Sequence, residues 1–192
     1  MRYPPILLVA ALAVTAPGAV PAEPYVMDKA HAQVTFMVGH LGFSTVQGQF
    51  REFEAEIDFD PGRVEATRVS FTVDTASVDT NWPDRDKHLR SRDFFDSGTY
   101  PTMTFASTSV LPTGTDTAEI TGNLTIRDTT RPVTLQARLN KLGPSPFDPN
   151  QTIAGFTVTG EIDRAEFGMG FAAPAVSAIV PIRIDLEMSP AQ

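Results

Sequence analysis

The chain has 192 residues, which is a typical length for one domain. Hydrophobic residues make up 42% and charged residues 20%, a composition that excludes disordered and collagen-like chains. The net charge of −8 disfavours a surface that binds the phosphates of nucleic acids. The absence of cysteine excludes disulfides, thiolate zinc sites and catalytic thiols.

The N-terminal segment has the layout of a secretory signal peptide. Arg2 supplies a positive charge, Ile6–Val14 forms a short apolar run, and small residues surround Ala22. The apolar run is much shorter than the roughly 20 residues of a membrane span. We therefore expect residues 1–22 to be removed on export instead of remaining as an anchor, and residues 23–192 to form a single domain in the periplasm.

The rest of the chain alternates apolar and polar residues with a period of two. This pattern is typical of strands that have one buried face. Turn signals rich in Gly, Pro and Asp separate the alternating stretches. In chain order these stretches are residues 34–40, 46–59, 69–73, 118–126, 133–139, 156–162 and 180–188.

The stretch over residues 46–59 changes phase at Arg51–Glu52. Its apolar residues are even-numbered up to Phe50 and odd-numbered from Phe53 onward. A shift of one residue turns every following side chain to the opposite face. Either a β-bulge bends one long strand at this point, or two short strands meet there.

One segment, from Trp82 to about Phe95, has a helical pattern. Asp79 or Thr80 precedes it as an N-cap, and Pro83 suits a first helical turn. The many charged side chains of the segment indicate a solvated helix face with local ion pairs. An acid–base cluster around His88, or a lid over one end of a barrel, are the alternatives.

Many strands with little helix indicate an all-β antiparallel fold, either a sandwich or a barrel. The bend at Arg51–Glu52 and the short connections favour an up-and-down barrel. A barrel of about eight strands is either filled by its side chains or holds one small ligand.

The histidines His31, His40 and His88 have no spacing typical of metal ligands or catalytic triads. We therefore predict no metal site and no catalytic residue. His40 continues the apolar face of its strand. It is either a locally hydrogen-bonded residue at a barrel mouth or a polar contact for the head group of a ligand.

Phenylalanine is unusually frequent, with 13 residues against one Trp and three Tyr. Taken alone, this excess indicates only an apolar core. Because Phe has no polar group, a cavity lined by it suits a hydrocarbon ligand.

Six segments of the chain carry a family resemblance. They are Tyr25–Phe36, Gly39–Phe50, Arg85–Phe95, Tyr100–Phe105, Gly122–Val133 and Ala165–Met169. In this order they resemble the YceI-like family of exported lipid-binding proteins, over nearly the whole chain from Tyr25 to Glu187. The chain departs from the family pattern at Glu166, where aspartate is usual, and in the small apolar loop of residues 171–178.

The resemblance implies a lipocalin-like antiparallel β-barrel around a long apolar tunnel, with one short helical segment near residues 82–95. It implies a ligand such as a polyisoprenoid, an isoprenoid quinone or another long-chain amphiphile, and no further cofactor. His40 and Arg90 are predicted to meet the polar head of this lipid. The predicted lipid-binding residues are Phe36, Val38, His40, Phe43, Phe50, Phe94, Met103, Phe105, Phe156, Met169 and Phe171.

The expected partners are a hydrophobic lipid and, transiently, a membrane or membrane protein that donates or accepts it. No nucleic acid is expected, and the oligomeric state stays open. Two alternative functions also stay open: a lipid-modifying enzyme that uses the His88 cluster, and a structural or interaction protein with a filled barrel.

Overall fold

The computed structural model describes residues 23–191, which form a closed antiparallel β-barrel. The predicted signal peptide, residues 1–22, lies outside the described residues. No helix within 23–191 is long and apolar enough to cross a membrane. The elements are β1 (Glu23–His40), β2 (Ser44–Phe50), β3 (Phe53–Phe59), β4 (Arg68–Asp74), β5 (Val78–Asp79), α1 (Pro83–Leu89), β6 (Thr102–Pro112), β7 (Thr117–Ile126), β8 (Thr129–Pro144), β9 (Thr152–Asp163) and β10 (Ile179–Pro190).

Pairing of β10 with β1 closes the barrel. The two strands run antiparallel from the pair Tyr25–Pro190 to the pair Phe36–Ile182. β2 and β3 both pair with β1 and together occupy one position in the barrel. The short β5 pairs with β2 and β4 pairs with β3, so these two strands together occupy the next position. With β1 and β6 to β10, the barrel therefore has eight strand positions. The predicted fold class, an all-β lipocalin-like barrel of about eight strands, is confirmed.

The phase change at Arg51–Glu52 is a break between β2 and β3 and not a bulge within one strand. The N–H of Arg51 donates to the carbonyl of Ser77 over 3.2 Å, and the carbonyl of Glu52 accepts from the N–H of Asp74 over 3.0 Å. These bonds hold the break against the segment between β4 and β5. Of the two predicted alternatives, the structure contains two separate strands.

A second phase change lies in β1, between Asp28 and Gln33, where the pairing with β10 shifts register. Before it, the odd-numbered Tyr25 and Met27 are buried. After it, even-numbered residues beginning with Val34 are buried. This irregularity keeps the inner face of a long strand apolar while the strand bends around the barrel.

The helical segment is present, but α1 ends at Leu89 and the rest of the segment forms turns. The prediction that Asp79 or Thr80 caps the helix is wrong, because the N-cap is Trp82 and its side chain makes no capping bond. Instead, the buried carboxylate of Asp86 accepts from the backbone N–H of Thr80 over 2.8 Å and from its hydroxyl over 2.5 Å. These two hydrogen bonds connect the helix to Thr80, which directly follows β5.

Two glycines in the inner wall make room for aromatic rings. Gly48 lies beneath the ring of Phe36, and Gly122 lies beneath the ring of Phe105. A Cβ atom at Gly122 would be 2.6 Å from the carbonyl oxygen of Ala106 and would overlap the Phe105 ring. The ring of Phe36 in β1 therefore lies against β2, and the ring of Phe105 in β6 lies against β7. This arrangement leaves space along the barrel axis.

We predict that Gly122→Ala lowers the free energy of unfolding by about 1–3 kcal/mol, since the added methyl group overpacks the wall. Gly155→Ala is the matched control, because Gly155 lies within β9 and a Cβ there would meet nothing within 4 Å. Its effect should stay below about 1 kcal/mol. Urea unfolding followed by circular dichroism measures both, and equal losses would contradict this role for Gly122.

Candidate functional site

A cavity of about 270 Å³ lies inside the barrel. Every strand except β5 contributes to its wall. Its volume is close to the lower limit of small-molecule pockets, roughly 300–1,000 Å³. The side chains that point into the barrel therefore do not fill its interior completely.

The surface of this cavity is almost entirely carbon. The wall includes Thr35, Thr67, Thr104 and Arg164, but their polar atoms do not reach the cavity surface. The hydroxyl of Thr35, for example, donates to the carbonyl of Arg183 on the neighbouring strand over 3.1 Å. A buried water needs two to four polar partners, so this surface favours hydrocarbon over ordered water.

The cavity is covered at the end of the barrel where α1 lies, which we call the helix end. Phe94, Phe95 and Met169 line the cavity there. On its outer side Phe94 contacts His88 and Phe171 edge to face, with ring centroids 5.1 Å and 5.8 Å apart. His88 and Phe171 also contact each other at 5.3 Å. Three mutually touching rings therefore cover this end.

A separate aromatic cluster closes the opposite end. The ring of Phe59 contacts Tyr25 and Phe156 edge to face, each at a centroid distance of 5.3 Å. Met188, only 2% exposed, belongs to the same cluster. The apolar space thus extends between two aromatic ends.

Arg164, which is 6% exposed, anchors the loop that passes over the helix end. Burial lowers the pKa of its guanidinium, and the charge of Asp163 opposes this shift. An arginine nevertheless stays charged, so its hydrogen bonds are charge-assisted. They go to four backbone carbonyls of the following loop, those of Met169, Phe171, Val176 and Ser177.

The same loop pairs with the turn between β1 and β2. The N–H of Leu41 donates to the carbonyl of Ala175 over 2.8 Å. The N–H of Ser177 donates to the carbonyl of Gly39 over 3.0 Å, and the Ser177 hydroxyl accepts from the Gly39 N–H over 2.9 Å. Arg164 holds the loop on one side, and the β1–β2 turn holds it on the other.

Residues 25–188 match the family model of the YceI-like domain. The chain belongs to the YceI-like family. It is 41% identical to the protein YceI of Escherichia coli O157:H7 over 182 residues, which cover 92% of this chain and 93% of that protein. The resemblance predicted from the sequence is confirmed.

Solved structures share the YceI-like barrel. BcnA of Burkholderia cenocepacia has a TM-score of 0.76 at 26% identity, over 84% of this chain and 98% of that chain. A polyisoprenoid-binding domain from Saccharophagus degradans, implicated in plant cell wall breakdown, has a TM-score of 0.61 over 87% of this chain and 98% of that chain. Because its identity is 16%, the second similarity establishes the fold alone.

Most of the residues predicted to contact lipid line the cavity of this YceI-like barrel. They come from strands far apart in the sequence, and the barrel brings them to one surface. Their contact with a lipid stays a prediction. These residues are Phe36, Val38, Phe50, Phe94, Met103, Phe105, Phe156 and Met169.

Three other predicted lipid-binding residues lie outside the cavity wall, around the helix end. Phe43 is at the tip of the β1–β2 turn and is 89% exposed. Phe171 is half exposed and covers the outer side of Phe94. His40 is exposed at the end of β1 and forms an isolated bridge with Val176.

The charged residues of the helical segment also lie outside the cavity wall. The Nε and Nη2 atoms of Arg90 donate to the carbonyls of Ala76 and Val78 over 2.7 Å and 2.8 Å. His88 is hydrogen-bonded through Nε2 to Asp93 over 2.9 Å. Arg90 therefore joins the helix to the barrel, and His88 belongs to the aromatic cover of the helix end.

We predict that Arg164→Met lowers the free energy of unfolding by at least about 3 kcal/mol, because several carbonyls lose their donor at about 1–3 kcal/mol each. The matched control is Arg68→Met, which should cost less than about 0.5 kcal/mol. Arg68 is exposed at the opposite end and also donates to three carbonyls, those of Glu65, Ala66 and Thr67.

Urea unfolding of both arginine variants measures this difference, and limited proteolysis reports whether residues 170–178 loosen. Cleavage in this loop should increase only in Arg164→Met. Equal stability losses in the two variants would contradict the anchoring role of Arg164.

Proposed function

We propose that this chain is an exported carrier that holds a polyisoprenoid, an isoprenoid quinone or a similar long-chain lipid in its barrel. The observation that carries the proposal is the carbon-lined cavity of about 270 Å³. Membership of the YceI-like family supports it. The similarity in fold to a protein described as a polyisoprenoid-binding domain is consistent with the same ligand class.

The energetics of an empty cavity favour a bound hydrocarbon. Atoms that line an unfilled apolar cavity lack dispersion partners on one side. A hydrocarbon chain that fills the space restores the lost dispersion contacts and gains about 25 cal/mol for each Å² of apolar surface removed from water.

The polar head of such a lipid belongs at the helix end. The carbon surface of the cavity offers it no hydrogen-bond partner, so the head lies at the edge of the cavity or beyond it. His40 is exposed next to the loop that crosses this end. We propose His40 for the head-group contact in preference to Arg90, whose donors are bonded to Ala76 and Val78.

We propose binding and not catalysis as the activity. His88, the centre of the enzyme alternative, is absent from the cavity wall and is bonded to Asp93. The signal-peptide pattern of residues 1–22 supports a periplasmic location. In that compartment the expected partners are the lipid and the membrane or membrane protein that exchanges it.

The cavity is tested with a variant that fills it. Ala137→Phe places a ring in the wall, whereas Gln136→Phe places the same ring on the exposed outer face of β8. We predict that the native protein and Gln136→Phe bind geranylgeraniol one to one and melt at a higher temperature with it. In Ala137→Phe the affinity should fall at least about tenfold, since two displaced methylene groups already account for that loss.

Native mass spectrometry and thermal unfolding with added geranylgeraniol measure these outcomes. Equal binding by Ala137→Phe would contradict the location in the cavity. A native protein that takes up no prenol and no quinone would overturn the proposed function.

A further inference from the structure

Residues 32–50 and residues 167–182 carry no Asp, Glu, Lys or Arg, a property they share with residues 3–22 and 97–115. Several charges would be expected in stretches of this length, because charged residues make up 20% of the chain. Residues 32–50 and 167–182 are far apart in the sequence.

The structure brings the turns of residues 32–50 and 167–182 together at the helix end. The β1–β2 turn and the loop of residues 170–178 are joined by the backbone bonds from Leu41 to Ala175 and from Ser177 to Gly39. Because Arg164 binds four carbonyls of the loop, the loop is held in a defined position. One continuous, uncharged surface results.

This surface exposes large apolar side chains. Phe43 is 89% exposed, and Leu41 and Phe171 are each 51% exposed. Small apolar residues of the loop lie exposed beside them. We call this set the apolar rim: Leu41, Phe43, Phe171, Ala172, Pro174 and Ala175.

The apolar rim is continuous with the cover of the cavity. Phe171 contacts Phe94 on the outside, and Phe94 lines the cavity on the inside. A hydrocarbon that enters or leaves by this end would pass between the rim and the cavity with no charged side chain of the rim in its way. At the opposite end, the exposed Phe147 lies in a connection next to the charged Asp148.

We propose that the apolar rim is the surface by which this protein docks on a lipid bilayer, an inference that rests on the proposed function. Exposed Phe and Leu side chains insert at the boundary between head groups and acyl chains. Docking in this orientation would place the helix end of the cavity against the lipid.

The charge distribution fixes the orientation in which the protein approaches a bilayer. Residues 82–96, which flank the rim, carry four acidic and four basic side chains, so the net charge of −8 resides elsewhere in the chain. An anionic lipid surface repels the acidic body. The uncharged rim is therefore the part of the molecule that approaches such a surface with the least repulsion.

Vesicle flotation tests the proposal with matched phenylalanine variants. The vesicles contain phosphatidylethanolamine and phosphatidylglycerol. The test variants are Phe43→Ser and Phe43→Ser/Phe171→Ser, and the control is Phe147→Ser, which removes a Phe that is 97% exposed at the opposite end. The native protein and the control should float, and the partition coefficient should fall on the order of tenfold for each rim Phe removed.

Flotation should persist at high salt, because insertion of uncharged side chains is not screened. A native protein that stays unbound, or a double variant that floats as well as the control, would overturn the proposal. The proposal would also be overturned if sedimentation velocity shows that the native protein is a dimer and the double variant a monomer, while flotation is the same for both.

Binding of geranylgeraniol in vesicle-free solution separates this inference from the proposed function. Prenol binding without flotation refutes the docking surface alone. Flotation without any prenol or quinone binding leaves the docking surface in place and refutes the carrier function.

Discussion

The apolar inner face shared by the barrel strands is the constraint on which the rest of the structure depends. It stays apolar through changes of phase at the break after Phe50, in β1 between Asp28 and Gln33, and in β6 between Ser107 and Ser109. Glycines such as Gly48 and Gly122 let rings lie against this face and keep space along the axis. A cavity built in this way offers carbon contacts throughout, and its natural occupant is hydrocarbon.

The helix end carries the features that depend on this inner face. Phe94 belongs both to the cavity wall and to the ring cluster with His88 and Phe171. Arg164 holds the covering loop by charge-assisted bonds to its backbone, so the loop needs no charged side chain of its own. The uncharged β1–β2 turn and the loop that Arg164 holds together form a surface suited to contact with lipid.

The sequence predicts the barrel well because alternation and turn residues act locally, and the family resemblance adds the eight-strand closure. It does not predict the irregularity in β1, because Lys29–Ala32 contains no large apolar residue whose face could be followed. It also misses Arg164, whose partners are backbone carbonyls that no residue pattern marks. Many inward residues of the strands follow from alternation, but Phe94 and Met169 line the cavity from outside the strands and follow no such pattern. The exposure of Phe43 depends on its place at the tip of a turn.

The most direct test is a high-resolution crystal structure of the protein purified from its native source without added lipid, with mass spectrometry of an organic extract of the same sample. The proposed function predicts continuous elongated density between the aromatic cluster of Phe59 and the rings at Phe94. It also predicts an isoprenoid or similar long-chain lipid in the extract. A cavity that contains only ordered water or nothing, in a sample whose extract holds no lipid, would contradict it.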